Sequence, residues 1–292
     1  MFFDFVGRKK IWFLISLAVI IPGLFSLIFH SFNYGVDFAG GTKIVVEFSQ
    51  EVSSEDIRQV LGKFDLERSS IQESDNNQFV IRLPILDDQD SSQVIDALRV
   101  QLGSMEVLSN ESVGSVVSSE LRSKAIIALV IAAVLMLIYI TVRFELSFAL
   151  VAIITQIHDV LITVSIFSLL QLEINMEFII AILTILAYSI NNTIVIFDRI
   201  RENISFKEKL TLSELVNKSI KQSLLRSINT SATSIAVLFS LVFFGGETIR
   251  LLAIAMIIGF MAGTFSSIFI AGPLWIELKQ RWFINDKKRI KS

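Results

Sequence analysis

Phe148 to Leu170 reads FALVAIITQIHDVLITVSIFSLL, and this stretch decides the fold. A bilayer crossing needs about 20 mostly apolar residues. The stretch meets that length, yet it carries Gln156, His158 and Asp159 near its middle. Working outward, five more segments qualify: Ile11 to Phe29, Ala125 to Val142, Phe178 to Phe197, Ser227 to Phe244 and Leu251 to Trp275. Six spans in 292 residues agree with 53% hydrophobic and 18% charged content, 24 Phe against 3 Pro, and a mean hydropathy of +0.66. Such totals exclude a disordered chain, a collagen-like fibre and a disulfide-rich secreted domain. The absence of Cys removes thiol nucleophiles, Fe–S ligands and Cys-based zinc sites. Two histidines, His30 and His158, are too few for a His-rich metal centre. No metal or cofactor is expected. Nor is a P-loop, since neither GxxxxGK[ST] nor GxGxxG occurs.

Lys and Arg mark the cytoplasmic side of a membrane protein. They gather in three places: Arg8, Lys9 and Lys10; the segment from Arg199 to Arg226; and the tail from Lys279 to Lys291. The loop Gln171 to Glu177 and the turn Gly245 to Ile249 carry acids and no base. Both termini are therefore expected on the cytoplasmic side, with residues 1–10 and a basic tail over 276–292 there. Arg122 and Lys124 break the pattern, but beside a large translocated domain the rule is weak. The first span is long and no small-x-small site follows it, so it is read as retained.

Residues 30–121 differ in character, with 16 acids against 6 bases. Thr42 to Ser49, Arg68 to Glu73, Gln78 to Leu83 and Met105 to Val113 read as strands; Asp75-Asn76-Asn77 reads as a turn. Ser54 to Phe64 and Ser91 to Leu102 have helical apolar spacing. The order strand, helix, strand, strand, helix, strand predicts a ferredoxin-like α+β domain. It holds no catalytic constellation.

An ionisable group inside a span costs roughly 2.5–3.5 kcal/mol on insertion scales, so it normally faces a bundle interior and has a use. Thr155, Asp159 and Thr163 recur every fourth residue on span three, Thr184, Tyr188 and Asn192 on span four, and Arg226 and Thr230 on span five, followed by Thr233 and Ser234. Residues four apart share a helix face. Three polar stripes lining one hydrated interior are the expectation; inter-helix hydrogen bonding explains the Ser and Thr positions equally well. Asp159 lies about 16 Å into its span at 1.5 Å per residue. A carboxylate there can exchange protons, and one charge crossing about 150 mV releases roughly 3.5 kcal/mol, enough to bias a two-state change. His158 reads as a polar neighbour of Asp159, and Arg226 as a pathway member or a snorkelling side chain. Gly259 and Gly263 form a GxxxG packing face near Ser266 and Ser267. Leu212, Leu215, Val216, Ile220 and Leu224 predict an amphipathic helix along the inner membrane surface within a loop over 198–226.

Several motifs bear a family resemblance. Asn33-Tyr34-Gly35-Val36-Asp37-Phe38-Ala39-Gly40-Gly41-Thr42 resembles the signature after the first span of the SecF family of bacterial protein-export membrane proteins, within the RND superfamily. Arg143-Phe144-Glu145, His158-Asp159-Val160, Tyr188-Ser189-Ile190-Asn191, Phe197 to Asn203, Arg226 with Thr230-Ser231, and Gly245-Gly246 match as well. Gly35, Gly40 and Gly41 suggest sharp backbone turns. Asp198, Arg199, Arg201 and Glu202 fall where span four ends, and read equally as a solvated helix end.

The resemblance implies six spans with one periplasmic domain in the bacterial inner membrane. It implies a SecD-like partner and proton-driven assistance to Sec-dependent export of precursor proteins beside the SecYEG channel, with YajC and YidC as further candidate partners and no nucleic acid. It also implies a proton pathway drawn from Asp159, Asn191, Asn192 and Arg226. The family reads Gly-Tyr-Ser-Ile-Asn-Asp in span four, whereas this chain has Ala187 and Asn192 at the first and last of those positions. An amide cannot titrate. Either Asp159 or a partner carboxylate then carries the proton, or coupling is weaker in this chain; the partner is preferred, with Asn192 kept as a hydrogen-bonding member. Two other classes are alternatives: half of an RND-type exporter of small molecules or lipids, and an intramembrane hydrolase, for which no Ser–His, paired-Asp or HExxH arrangement is visible in the sequence.

Overall fold

The computed structural model describes residues 4–74, 77–206 and 210–280. The expected turn residues Asp75 and Asn76, the bases Lys207 and Lys209, and the tail from Arg281 onward lie outside them. The chain divides into residues 34–127 and a second unit built from 1–33 and 128–292.

The first unit contains α2 (Val36–Ala39), β1 (Gly41–Phe48), α3 (Ser54–Gly62), β2 (Ser70–Glu73), β3 (Gln78–Leu83), α4 (Asp88–Leu102) and β4 (Met105–Val113). The sheet is antiparallel in the order β2-β3-β1-β4, so β3 enters between the two strands that α3 connects. That is the ferredoxin-like arrangement. Alternation fixes the register: Ile44 faces Ile81 and Val46 faces Phe79 across the strands, and these four side chains form the core with Ile57, Leu61, Val94 and Leu98 from the helices. Ser53 and Asp56 close a reciprocal capping box on α3. Gly40 and Gly41 have φ of 77° and 130°, and a Cβ on Gly41 would stand 2.6 Å from the Leu83 carbonyl oxygen. Gly35 does not share that need, because its φ is −70° and it serves as the N-cap of α2.

Among the described residues, six helical stretches are long and apolar enough to span a membrane: α1 (Lys9–His30), α5 (Ser115–Arg143), α6 (Leu146–Leu169), α7 (Met176–Ser205), α8 (Leu212–Phe244), and Ile249–Leu278, along which α9 (Glu247–Phe265) runs through a π-helical turn (Ser266–Ala271) into α10 (Gly272–Leu278). In the second unit, α6, α7 and the last stretch are the buried elements, while α1 and α5 are largely exposed. Close helix approach comes from small residues. A Cβ on Gly23 of α1 would stand 2.2 Å from Ser165 Cβ of α6, and one on Gly259 of α9 2.2 Å from Ile185 Cδ1 of α7. The core is aromatic at one end: Phe148 stacks on Trp275 at 4.9 Å, and the Trp275 indole N–H donates to Ser147 at 3.2 Å.

One expectation fails here. The surface-lying amphipathic helix and the separate fifth span are a single unbroken helix, α8, capped by Thr211 and Glu214. Leu215, Val216 and Ile220 are buried in the same core as Trp275 and Phe5. Span four likewise continues as helix to Ser205. Helix formation needs no apolarity along its whole length, so charged turns extend a span without ending it.

Candidate functional site

Asp159 is fully buried. A buried carboxylate is tolerable only when its oxygens are supplied with donors, and two helices and the π-helical turn supply them. His158 Nδ1 lies 2.8 Å from Oδ1. Ser189 Oγ of α7 and Ser266 Oγ of the π-helical turn both donate to Oδ2, the latter at 2.9 Å. Ser16 Oγ of α1 lies 2.8 Å from His158 Nε2. The π-helical turn allows this: the extra residue it inserts aims Ser266 at Asp159 and its neighbour Ser267 at Thr193, 2.9 Å away.

Beside this cluster, the Asn192 amide donates to Ser231 Oγ at 3.3 Å, and Ser231 pairs with Thr264 at 2.6 Å. Asn192 is buried, but Asn191 and Arg226 are exposed on this chain. The four expected pathway residues therefore separate into an inward pair, Asp159 and Asn192, and an outward pair, Asn191 and Arg226.

The three-stripe expectation is corrected in the same way. The stripe of α6 faces inward, with Thr155, Asp159 and Thr163 all buried. On α7 the inward face is Ser189, Asn192 and Thr193; Thr184 and Tyr188 are only half-buried, and the Tyr188 hydroxyl has no hydrogen-bond partner among the described residues. On α8 the buried positions are Ser227 and Ser231 rather than Arg226 and Thr230. The hydroxyls of Thr230, Thr233 and Ser234 bond to carbonyls of their own helix, which satisfies them without an interior. Sequence reasoning missed Ser16, Ser189, Ser231 and Thr264 as site members. Ser16 gave no signal beyond being a hydroxyl in an apolar span.

The order Ser16–His158–Asp159 is that of a hydrolytic triad, an arrangement the sequence had not revealed. Ser16 stands in mid-helix, where the surrounding N–H groups are taken up by helical bonds, and its hydroxyl also reaches the Trp12 carbonyl at 3.2 Å. An oxyanion needs free donors, and a helix interior does not offer them. No cluster of three or more His, Cys, Asp or Glu suited to a metal exists among the described residues.

At the end of α7, Arg201 approaches Asp198 at 3.1 Å and Arg199 approaches Glu202 at 2.7 Å, both within the helix. Arg143 of α5 adds a longer contact to Asp198 at 3.7 Å, and the guanidiniums of Arg143 and Arg201 both lie over the Phe144 ring. Exposed pairs of this kind contribute 0–1 kcal/mol each. They tie α5 to α7 more than they stabilise the bundle.

Comparison with known proteins gives consistent matches. A family model described as "Protein export membrane protein SecD/SecF, C-terminal" matches residues 93–281, and one described as "SecD/SecF GG Motif" matches residues 25–52. Two proteins named "Protein translocase subunit SecF" are similar: that of Acidaminococcus fermentans is 40% identical over 96% of this chain and 98% of its own, and that of Sebaldella termitidis 38% identical over 93% and 90%. Among solved structures, SecDF of Thermus thermophilus, titled a translocon-associated membrane protein, superposes with a TM-score of 0.88 at 34% identity over 96% of this chain. A SecDF in a super-membrane-facing form gives 0.71 at 31% identity. The chain spans about two fifths of those two SecDF chains (39% and 40%).

Proposed function

The chain belongs to the SecD/SecF family of protein-export membrane proteins, and on that premise we propose that it is the SecF-like accessory subunit of a bacterial Sec translocase, coupling proton entry to export together with a SecD-like partner. It is a multi-pass protein of the inner membrane. Both termini are assigned to the cytoplasm, from the placement of Lys and Arg. Its work is conformational, with no covalent chemistry assigned to it. SecYEG is the channel it serves, with YajC and YidC as further partners.

One observation carries the coupling reading: Asp159, without solvent exposure in mid-span, is held by donors from α6, α7 and the π-helical turn at once. A charge at such a place biases the packing of every element that contacts it. The position-192 amide cannot carry a proton, so within this chain the coupling charge falls on the buried site around Asp159. Asn191 of α7 and Arg226 of α8 are both exposed polar groups. Lipid would leave them unsatisfied, so the SecD-like partner is assigned to cover them. The small-molecule exporter reading is not favoured.

The test is export of a secreted precursor into membrane vesicles with and without a proton gradient. Asp159→Asn is expected to remove the gradient-dependent share while leaving ATP-driven export. Full gradient response in Asp159→Asn would reduce Asp159 to packing. Depletion of the chain is expected to slow precursor release; normal export with altered drug resistance would favour an exporter instead.

A further inference from the structure

Ser16 has one hydroxyl proton and two acceptors within reach, His158 Nε2 at 2.8 Å and the Trp12 carbonyl oxygen at 3.2 Å. His158 Nδ1 faces Asp159 Oδ1. Two complete hydrogen-bonding states follow. With a neutral imidazole protonated on Nδ1, Nδ1–H donates to the carboxylate and Ser16 donates to Nε2. With an imidazolium, Nδ1–H still donates to the carboxylate, Nε2–H donates to Ser16 Oγ, and the Ser16 hydroxyl turns to Trp12. No heavy atom moves between them. A purely structural histidine needs one satisfied state, and this one has two.

We propose that His158 is the group at which this chain takes up and releases its proton, with Asp159 as counter-ion and Ser16 as the reorienting hydroxyl. The proposal rests on the coupling reading above and names the residue that performs the exchange. The proton arrives on Nε2, and the pair passes from a net charge of −1 to zero. Transfer of the Nδ1 proton to Oδ1 then leaves a carboxylic acid and a neutral imidazole at the same net charge. His158 retains 11% side-chain exposure against none for Asp159, so the imidazole is the outer member of the pair.

Other ionisable groups on the surrounding elements lie elsewhere. α1 carries Lys9, Lys10 and His30 at its ends, with Lys9 paired to Glu277 of α10. α9 carries Glu247 and Arg250 at its start, and the π-helical turn has none. On α7, Glu177 lies at the start, Asp198 and its neighbours near the end, and Tyr188 stacks on Phe260. The imidazole itself lies nearly parallel to the Phe265 ring at 6.4 Å. Uptake followed by transfer to Oδ1 therefore neutralises a carboxylate whose remaining donors are Ser189 and Ser266. Charge-assisted hydrogen bonds are about twice as strong as neutral ones, so once the proton has passed to Oδ1 the hold of α6 on α7 and on the π-helical turn loosens together.

The chain has two histidines, so His30→Gln leaves His158 as the sole imidazole. The full-length chain, labelled with 15N-histidine and held in phosphatidylcholine–phosphatidylglycerol nanodiscs, is examined by nitrogen NMR from about pH 5 to about pH 9. The expected result is one reversible protonation of Nε2 as the pH falls. In Asp159→Asn that titration is lost from the window, and in Ser16→Ala its midpoint shifts. An Nε2 signal that stays constant across the window overturns the proposal, whatever export does. His158→Gln retains a donor and an acceptor but cannot titrate, so gradient-dependent export is expected to be lost in it; unimpaired export there overturns the proposal too. If wild-type export shows no gradient dependence, the coupling reading beneath it falls, and the NMR result still reports on His158.

Discussion

Gly263 of α9 lies against Ser189 of α7 so closely that a Cβ on the glycine would stand 2.9 Å from Ser189 Cβ. Ser189 is the residue through which α7 holds Asp159. The GxxxG pair thus has a use beyond packing: it sets the distance at which α7 and the π-helical turn after α9 both reach one carboxylate. Gly263→Ala is expected to destabilise the protein by about 1–3 kcal/mol, the range for overpacking a filled interior, and to weaken the Asp159 cluster. Gly259→Val, aimed at the β-branched Ile185 at 2.2 Å, is expected to be worse. Thermal unfolding in detergent, monitored on the full chain, measures both; wild-type stability in Gly263→Ala would show that the helices can separate without loss.

The second prediction concerns position 192. The Asn192 amide donates to Ser231, which also pairs with Thr264. A carboxylate of the same size accepts from the Ser231 hydroxyl instead, so Asn192→Asp needs only a proton rearrangement. Gradient-dependent export at or above the wild-type level is expected. Complete loss of export in vesicles would mean that the site has been rebuilt around an uncharged amide.

A third prediction tests the turn into β1. Gly41 at φ 130° faces the Leu83 carbonyl, and a side chain is strained there by backbone and by contact alike. Gly41→Ala is expected to cost more than about 1 kcal/mol, read as faster amide hydrogen exchange of β1 and β3. Gly35→Ala, at an ordinary φ of −70°, is expected to leave exchange unchanged, which makes the pair a control for each other.

How much of this was legible in the sequence follows from what each pattern encodes. The strands of the α/β unit were readable because β-branched alternation at Thr42 to Ser49 puts Ile44 and Val46 on one face, and that face is the core. Asp159 was readable because a carboxylate in a span is too costly to be incidental. Ser189 and Ser266 were not singled out for Asp159, since hydroxyls can satisfy themselves on their own helix, as Thr230 does. The α7 face was misjudged by one position, Tyr188 for Ser189, because polar residues occur on both sides of that helix. The continuity of α8 was hidden because Lys218, Lys221 and Arg226 interrupt the apolar run, while the helix underneath is insensitive to them.

The last prediction lies outside the spans. Asp4 is held below the ordinary carboxylate range, first by the Gly7 N–H at 2.8 Å and then by the Asn217 side-chain amide, also at 2.8 Å. Asn217 in turn accepts from the N–H groups of Phe5 and Val6, and the Trp12 indole donates to the Phe5 carbonyl, so this corner fastens the N-terminal segment to α8. A carboxyl whose folded pKa is depressed contributes stability above its unfolded value, and that contribution disappears as pH falls through the folded one. Docking of residues 4–7 is therefore expected to hold at neutral pH and to weaken below about pH 4. Asp4→Asn keeps the size but removes the charge, and is expected to show weaker docking at neutral pH with no further loss on acidification. Trp12 fluorescence in the full-length chain reads the docking, because its indole N–H is bonded to Phe5. An acid-induced change of equal size in Asp4→Asn would assign the effect to another group.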